Sequence, residues 1–558
     1  MLFRSDVRGN LTIGSNATFA AGTSLTHAIA GNWLNNGSFT FTTANTVLFN
    51  GANSATISGS SSTAFNNLSV DKGSSIATVL EATGPMSMNG NLTFTDGLFR
   101  LTHASSSAQP GGSLTIPSTA GIEINGGTLN PNFGSITNQG LFRVISGSAT
   151  VGTSSGNAVN NQTGSTCNVQ GGTLTVSGRL TATGGTVSQS GGTITLCTVG
   201  NTDAGTANFD ISSTSNLSLT GGSVVFSLPN TATTPYNSLN IVNGGTKTVS
   251  GGTFQFGNAS TPTSQLFKVN SAIPLFNFTI NNVNAPSVQL VTNDLTINGT
   301  LALNGGNIDG ATNNKLVIVT NSSSSAVTQT SGFINSNLRR AVATTGANYL
   351  FPVGLTTGEY TPATLNFSNL TAGNLTVKAN SGDEPNLSVS PFAAIDPAKS
   401  VNAYWTLTAS GGAASTGYSG TLGYTAGLND NSTFATSYVL GKFNSGWTYP
   451  TVSATPSSTA LSFSGANGFG NLAIGSCQTP TTANAGPDQT QCNNGSFTLA
   501  GNSISTPNNG TWTCVSGCTG VIISTPNSPN STVTGVVAGV PATLRWTIDV
   551  GNPNCATS

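Results

Sequence analysis

Charge is what this sequence has least of. With 15 Lys and Arg and 16 Asp and Glu among 558 residues, only 6% is charged, against roughly 25% in an ordinary globular domain. Charge-driven disorder is excluded, because 36% of the chain is hydrophobic and the net charge is −1. A nucleic-acid footprint needs clustered Lys and Arg, and here the one adjacent basic pair is Arg339-Arg340. Histidine is nearly missing too: His27 and His103 stand apart from each other and from any cysteine or carboxylate cluster, so no zinc-ligand spacing exists. No apolar run approaches the 18 or so residues of a membrane span. Strong helix formers are sparse as well, and helix is expected to be nearly absent. The start, Met1-Leu2-Phe3-Arg4-Ser5-Asp6, lacks the apolar core of a signal peptide. With Cys555-Ala556-Thr557-Ser558 stopping at an apparent closing strand, the chain reads as a fragment of a longer protein.

What is present is glycine, 69 residues of it, with Ser, Thr and Asn between short apolar runs. From about residue 10 to 320 an apolar-Thr/Ser-apolar triplet recurs: Leu11-Thr12-Ile13, Leu92-Thr93-Phe94, Leu114-Thr115-Ile116, Leu174-Thr175-Val176, Leu217-Ser218-Leu219, Leu295-Thr296-Ile297. Strand alternation puts both apolar residues of a triplet on one face, so each strand has one buried side. A second phrase, Gly-Gly-Thr/Ser-apolar, recurs at Gly126, Gly171, Gly191, Gly221 and Gly251. Strands this short bury a core only when stacked, with glycines at positive-φ corners. A parallel β-helix of about 20–25 residues per coil is therefore predicted, with a string of Greek-key sandwiches as the competing fold.

The repeat ends in Thr320-Asn321-Ser322-Ser323-Ser324-Ser325, and the texture changes to aromatic strands: Tyr349-Leu350-Phe351-Pro352-Val353-Gly354, Tyr404-Trp405-Thr406-Leu407 and Gly446-Trp447-Thr448-Tyr449. A linker, Gln478-Thr479-Pro480-Thr481-Thr482, introduces a last set of strands at Phe497, Gly510, Ser531 and Thr543. The fold class is thus all-β in three parts: a β-solenoid over 1–325, a β-sandwich over 326–477, and an immunoglobulin-like sandwich over 478–558 that reads as truncated.

Ala485-Gly486-Pro487-Asp488-Gln489-Thr490-Gln491-Cys492, followed by Gly510-Thr511-Trp512 and Leu544-Arg545-Trp546-Thr547-Ile548, is similar to the PKD/immunoglobulin-like repeats of the large cell-surface proteins that gliding and surface-colonising bacteria export by the type IX route. The middle segment resembles the sandwich that follows the β-solenoid in such proteins. The resemblance implies a secreted or cell-surface location and an adhesin-like role, with anchoring supplied by parts outside this sequence.

Five of seven cysteines lie between Cys477 and Cys555, a concentration that suits an oxidising compartment better than a cytosolic one. Cys492 is expected to pair with Cys555 across the last domain and Cys514 with Cys518 in a tight loop, leaving Cys477 over. Cys167 and Cys197 are read either as neighbours on adjacent coils or as two separate buried thiols.

A glycosidase needs two facing carboxylates, and Asp203 with Asp210 is the best pair in the solenoid. Both sit in a stretch, Asn201 to Asp210, whose plain reading is a turn and a strand start. No residue is assigned as catalytic. Charges of alternating sign recur at about one coil length: Lys72 to Asp96, Arg100 to Glu123 to Arg143, and Arg179 to Asp203. On one face these form ion ladders. Trp33, in Gly31-Asn32-Trp33-Leu34, is the one aromatic singled out as a candidate for exposure. No cofactor is assigned; calcium is a candidate only for the polar loops at Asp383-Glu384, Asp430 and Asp488.

Three readings result. The first is a non-catalytic adhesin or stalk making weak multivalent contact with glycans or abiotic surfaces. The second is a polysaccharide lyase or hydrolase. The third, ice binding, requires Thr-rich faces such as Phe39-Thr40-Phe41-Thr42-Thr43 to align regularly, and the uneven coil length speaks against it.

Overall fold

A computed structural model describes residues 5–131, 134–232, 236–281, 284–389, 393–430, 434–492 and 495–558. Its contacts divide the chain into two compact units, Met1–Asn321 with Ala326–Ile334, and Ser322–Ser325 with Asn335–Ser558. The first boundary therefore falls at Ile334, later than the expected 325: Val327–Ser331 pairs in parallel with Leu301–Asn304 and belongs to the solenoid. Helix among the described residues is limited to short 3-10 turns such as Ala311–Asn313 and Ala426–Leu428.

The first unit is a parallel β-helix with three strands per coil. One coil runs Arg179–Ala182, Thr186–Gln189, Thr193–Leu196, and the next Phe209–Ile211, Asn216–Leu219, Ser223–Phe226. Each strand pairs in parallel with its equivalent one coil on. The buried residues form inward columns, one running Phe226, Phe256, Ile280 and its neighbour Val224, Phe254, Phe278; the Phe256 ring lies 4.7 Å from that of Phe226 and 4.9 Å from that of Phe278. The Gly-Gly phrase is the corner between the second and third strands. Gly192 and Gly222 have φ of 65° and 76°, and a Cβ on Gly192 would lie 2.5 Å from the Gly172 carbonyl oxygen below it. Only glycine suits both the left-handed backbone and the close stacking of coils.

In the second unit all described strand pairs are antiparallel. One sheet holds Leu338–Val342, Gly373–Ser381, Ile395–Ser410, Asn471–Cys477 and Val439–Phe443. The other holds Asn348–Phe351, Ala363–Thr371, Ala414–Gly423 and Ala460–Ala466. Trp405, Tyr349, Phe367 and Tyr418 are buried in this sandwich. Arg340 is wholly buried with them: it donates to the carbonyls of Ser323, Ser324 and Leu350 and lies over the rings of Tyr349 and Phe351. The final module pairs Asn509–Ser516 with Thr543–Asp549, and Phe497–Thr498 and Ile522–Ile523 with Thr532–Thr534, around Leu499, Trp512, Val533, Trp546 and Ile548.

Candidate functional site

The third strand of each coil stacks without a register shift from Leu141–Val151 through Thr173–Val176, Thr193–Leu196, Ser223–Phe226 and Thr253–Phe256 to Asn277–Ile280. Two outward positions per strand form two columns. The pairs are Ser148 and Thr150, Thr173 and Thr175, Thr193 and Thr195, Ser223 and Val225, Thr253 and Gln255, Asn277 and Thr279, of which Val225 alone is apolar and buried. Strand geometry sets the grid at about 4.8 Å between coils and about 7 Å along a strand. None of the twelve carries charge. The coil lengths differ, but the extra residues, such as Thr198–Ala207, lie outside this face. The regular array thus occupies this face, whereas the strand containing Phe39 and Thr40 pairs in a sheet of only two strands.

Charge is gathered on a neighbouring column, where Glu81, Arg100, Glu123 and Arg143 stand opposite one another on successive coils. Glu123 Oε1 accepts from Arg100 Nε at 2.5 Å and Oε2 from Arg143 at 2.9 Å, while Arg100 approaches Glu81 at 3.9 Å. Glu81 was missed at the sequence level, though its offset from Arg100 is of the same order as the others. Arg179 meets Asp203 at 3.0 Å. Lys72 does not meet Asp96: the register shifts between Val70 and Asp71, so Asp71 faces Asp96 and Lys72 turns inward. There its Nζ donates to the carbonyls of Ala30 and Asn50, and burial lowers its pKa.

Asp203 and Asp210 each have partners of their own. Besides Arg179, Asp203 accepts from the Gly205 amide. Asp210 accepts from the Ala207 amide at 3.1 Å and from Asn240 Nδ2 at 2.9 Å. The chain of amides continues, Asn270 donating to Asn240 at 2.9 Å and Asn293 to Asn270 at 2.7 Å. An ionised carboxylate only accepts, so Asp210 sets the direction of the whole ladder. Asp210 therefore serves as the terminus of a structural ladder.

Burial pushes the Asp210 carboxyl above its ordinary value, opposed by the hydrogen bonds from Asn240 and Ala207. The folded chain then holds this proton more tightly than the unfolded chain. The stability it contributes is full below the ordinary carboxylate range and is lost as pH rises through the raised value. Asp210→Asn removes that slope, so the Tm of wild type minus that of the variant is expected to shrink between about pH 3 and about pH 7. A gap independent of pH would refute the assignment.

Trp33, the candidate exposed aromatic, is wholly buried. It stands among Phe19, Phe39, Phe49 and Phe65 and donates from Nε1 to Thr63 Oγ1 at 3.2 Å. His27 is buried against the Ala21 carbonyl, and His103 accepts from the Ser105 amide.

The expected Cys492–Cys555 pairing is corrected. Cys555 is bonded to Cys477, and Cys492 is a free, exposed thiol. The end of the chain folds back onto the sandwich, where Cys555 joins Ala394, Val550, Tyr449 and Cys477 in one apolar cluster. Cys514 is bonded to Cys518. Cys167 and Cys197 are separate buried thiols, each pushed up to about 12 by burial, which leaves them without reactive thiolate.

Of the candidate calcium loops, Asp383 and Asp430 both approach the Ser400 hydroxyl, at 2.6 and 3.4 Å, and buried Glu384 accepts from Asn386 and Asn471. Among the described residues no three His, Cys, Asp or Glu side chains gather as a metal-binding group, and no helix is long and apolar enough to cross a membrane. No protein-family model, curated protein or solved structure matches the chain.

Proposed function

We propose that this chain is a non-catalytic adhesive or stalk protein of the cell exterior, in which the solenoid presents a neutral hydroxyl-bearing face for weak multivalent contact. The observation that carries the reading is the double column from Ser148 to Thr279, in register over six strands and free of charge. One hydroxyl contributes little against water, but repeated contacts at fixed spacing convert later binding events into intramolecular ones. Glycans or neutral solid surfaces suit such a face. An extracellular location is supported by the two disulfides in the second unit. The likeness of the last module to PKD/immunoglobulin-like repeats, and type IX export with it, belongs to this proposal.

The test incubates the purified chain with insoluble and soluble polysaccharides and measures retention together with reducing ends and unsaturated products. Retention without products is expected. Thr193→Lys with Thr253→Lys places two solvated charges on the face two coils apart, and retention should fall about tenfold or more with Tm unchanged. Unaltered retention would remove the face from the proposal. Product release that disappears on replacing Asp203 or Asp210 would replace it with the lyase or hydrolase reading.

The same register favours a second reading, ice binding, since the uneven coil length does not disturb this face. Thermal hysteresis in wild type that vanishes in the double-lysine variant would decide for it.

A further inference from the structure

We propose that the Cys477–Cys555 disulfide routes tension past the final module, so that a pull across residues 477 and 555 is borne by the bond and not by the intervening chain. The inference does not depend on what the solenoid binds.

Both ends of the module meet at one place on the sandwich. Cys477 is the last residue of Asn471–Cys477, a strand held on both sides by Ile395–Ser410 and Val439–Phe443. The next residue is fixed as well: the Gln478 amide donates to the Ala394 carbonyl, and its side chain to those of Ala393 and Ile395. At the far end, Val550 and Cys555 pack with Ala394, Cys477 and Tyr449, and the Tyr449 hydroxyl accepts from the Ala394 amide at 2.6 Å. The module thus leaves and returns at Ala394, and the disulfide closes the circuit over a sequence separation of 78.

The enclosed module is the part that needs protection from load. Its buried core is a cluster of five residues, and its two sheets have three and two strands. Two- and three-stranded sheets of this size are marginal on their own. Without the bond, a pull at the chain end would peel Ser558 from Ile548, with which it exchanges two backbone hydrogen bonds, and then load Thr543–Asp549 against Asn509–Ser516. With the bond, peeling stops at Cys555. Force then passes through a covalent link into the sandwich strand Asn471–Cys477.

The experiment stretches the full chain singly between handles at its two termini until every domain is unfolded. The oxidised wild type should end about 270 Å shorter than Cys477→Ser/Cys555→Ser, the reach at about 3.6 Å each of the 78 residues less the 4 that the Cys514–Cys518 bond keeps closed in the variant. This contour length is read at full extension whether or not the variant folds. Adding dithiothreitol to oxidised wild type held under force should restore the missing length in one large step, followed by a step of about 14 Å as Cys514–Cys518 comes under load and is reduced in turn. Equal lengths for the two chains would overturn the proposal. A deficit of about 210 Å would do so too, because that is the reach of the 63-residue separation of Cys492 and Cys555 less the 4 residues closed by Cys514–Cys518.

Discussion

Trp33→Ala is expected to cost about 3–5 kcal/mol and to melt the first coils of the solenoid while leaving the later ones folded. The cost follows from the site. The indole is wholly buried and its centroid lies 4.9 to 6.3 Å from those of four phenylalanines, so truncation removes a large apolar surface and leaves a cavity that rings from several coils must collapse to fill. Locality follows from the architecture, since each coil touches only its neighbours and stability is close to a sum of neighbour terms. Amide hydrogen exchange checks both parts. Thr26–Ile29, Thr46–Phe49 and Thr63–Phe65 should lose protection in the variant, whereas Thr193–Leu196 and Thr253–Phe256 should keep it. Uniform loss along the solenoid would show one cooperative unit and defeat the coil-by-coil account; no loss would show that the cluster relaxes around the missing ring.

Trp33 also shows where the sequence stops being informative. Nothing within Gly31-Asn32-Trp33-Leu34 marks the indole as buried, and the four rings that bury Trp33 come from positions 14 residues before it to 32 after it. A regular repeat would have aligned them. Here the step between equivalent positions is 20 residues from Thr173 to Thr193 and 30 from Thr193 to Ser223, so the triplets reveal that coils exist without revealing which residues stack. The Gly-Gly corner was legible because close coil stacking demands glycine at a fixed place. Arg100, Glu123 and Arg143 were legible because their strands pair without a shift at those positions. Lys72 and Asp96 have nearly the same spacing, but a single register shift turned the lysine inward. In the last module the strands could be read from alternation, whereas the partner of Cys555 depended on the chain end returning to the sandwich. Local pattern does not carry that information.

Glu123→Arg is expected to be the most damaging charge substitution in the solenoid, costing about 3–5 kcal/mol and lowering Tm by on the order of 10 °C. Glu123 sits between two guanidiniums, its side chain 2% exposed against 29% and 30% for Arg100 and Arg143. Most surface ion pairs contribute about 0–1 kcal/mol. Here the anion is the buried partner and each of its oxygens is held by a different arginine, so reversal leaves three cations on adjacent coils with no carboxylate at the centre. Because the anion is desolvated, salt should recover little of the loss. Arg100→Glu and Arg143→Glu introduced together with Glu123→Arg should regain part of it, limited by the new repulsion between Glu81 and the glutamate at position 100. A cycle over these variants separates coupling within the column from effects of the single positions. No loss of Tm in Glu123→Arg would mean that the column is carried by the backbone ladder alone. The loss expected here would instead identify Glu123 as the residue that locks three coils in register in a solenoid with few charged residues.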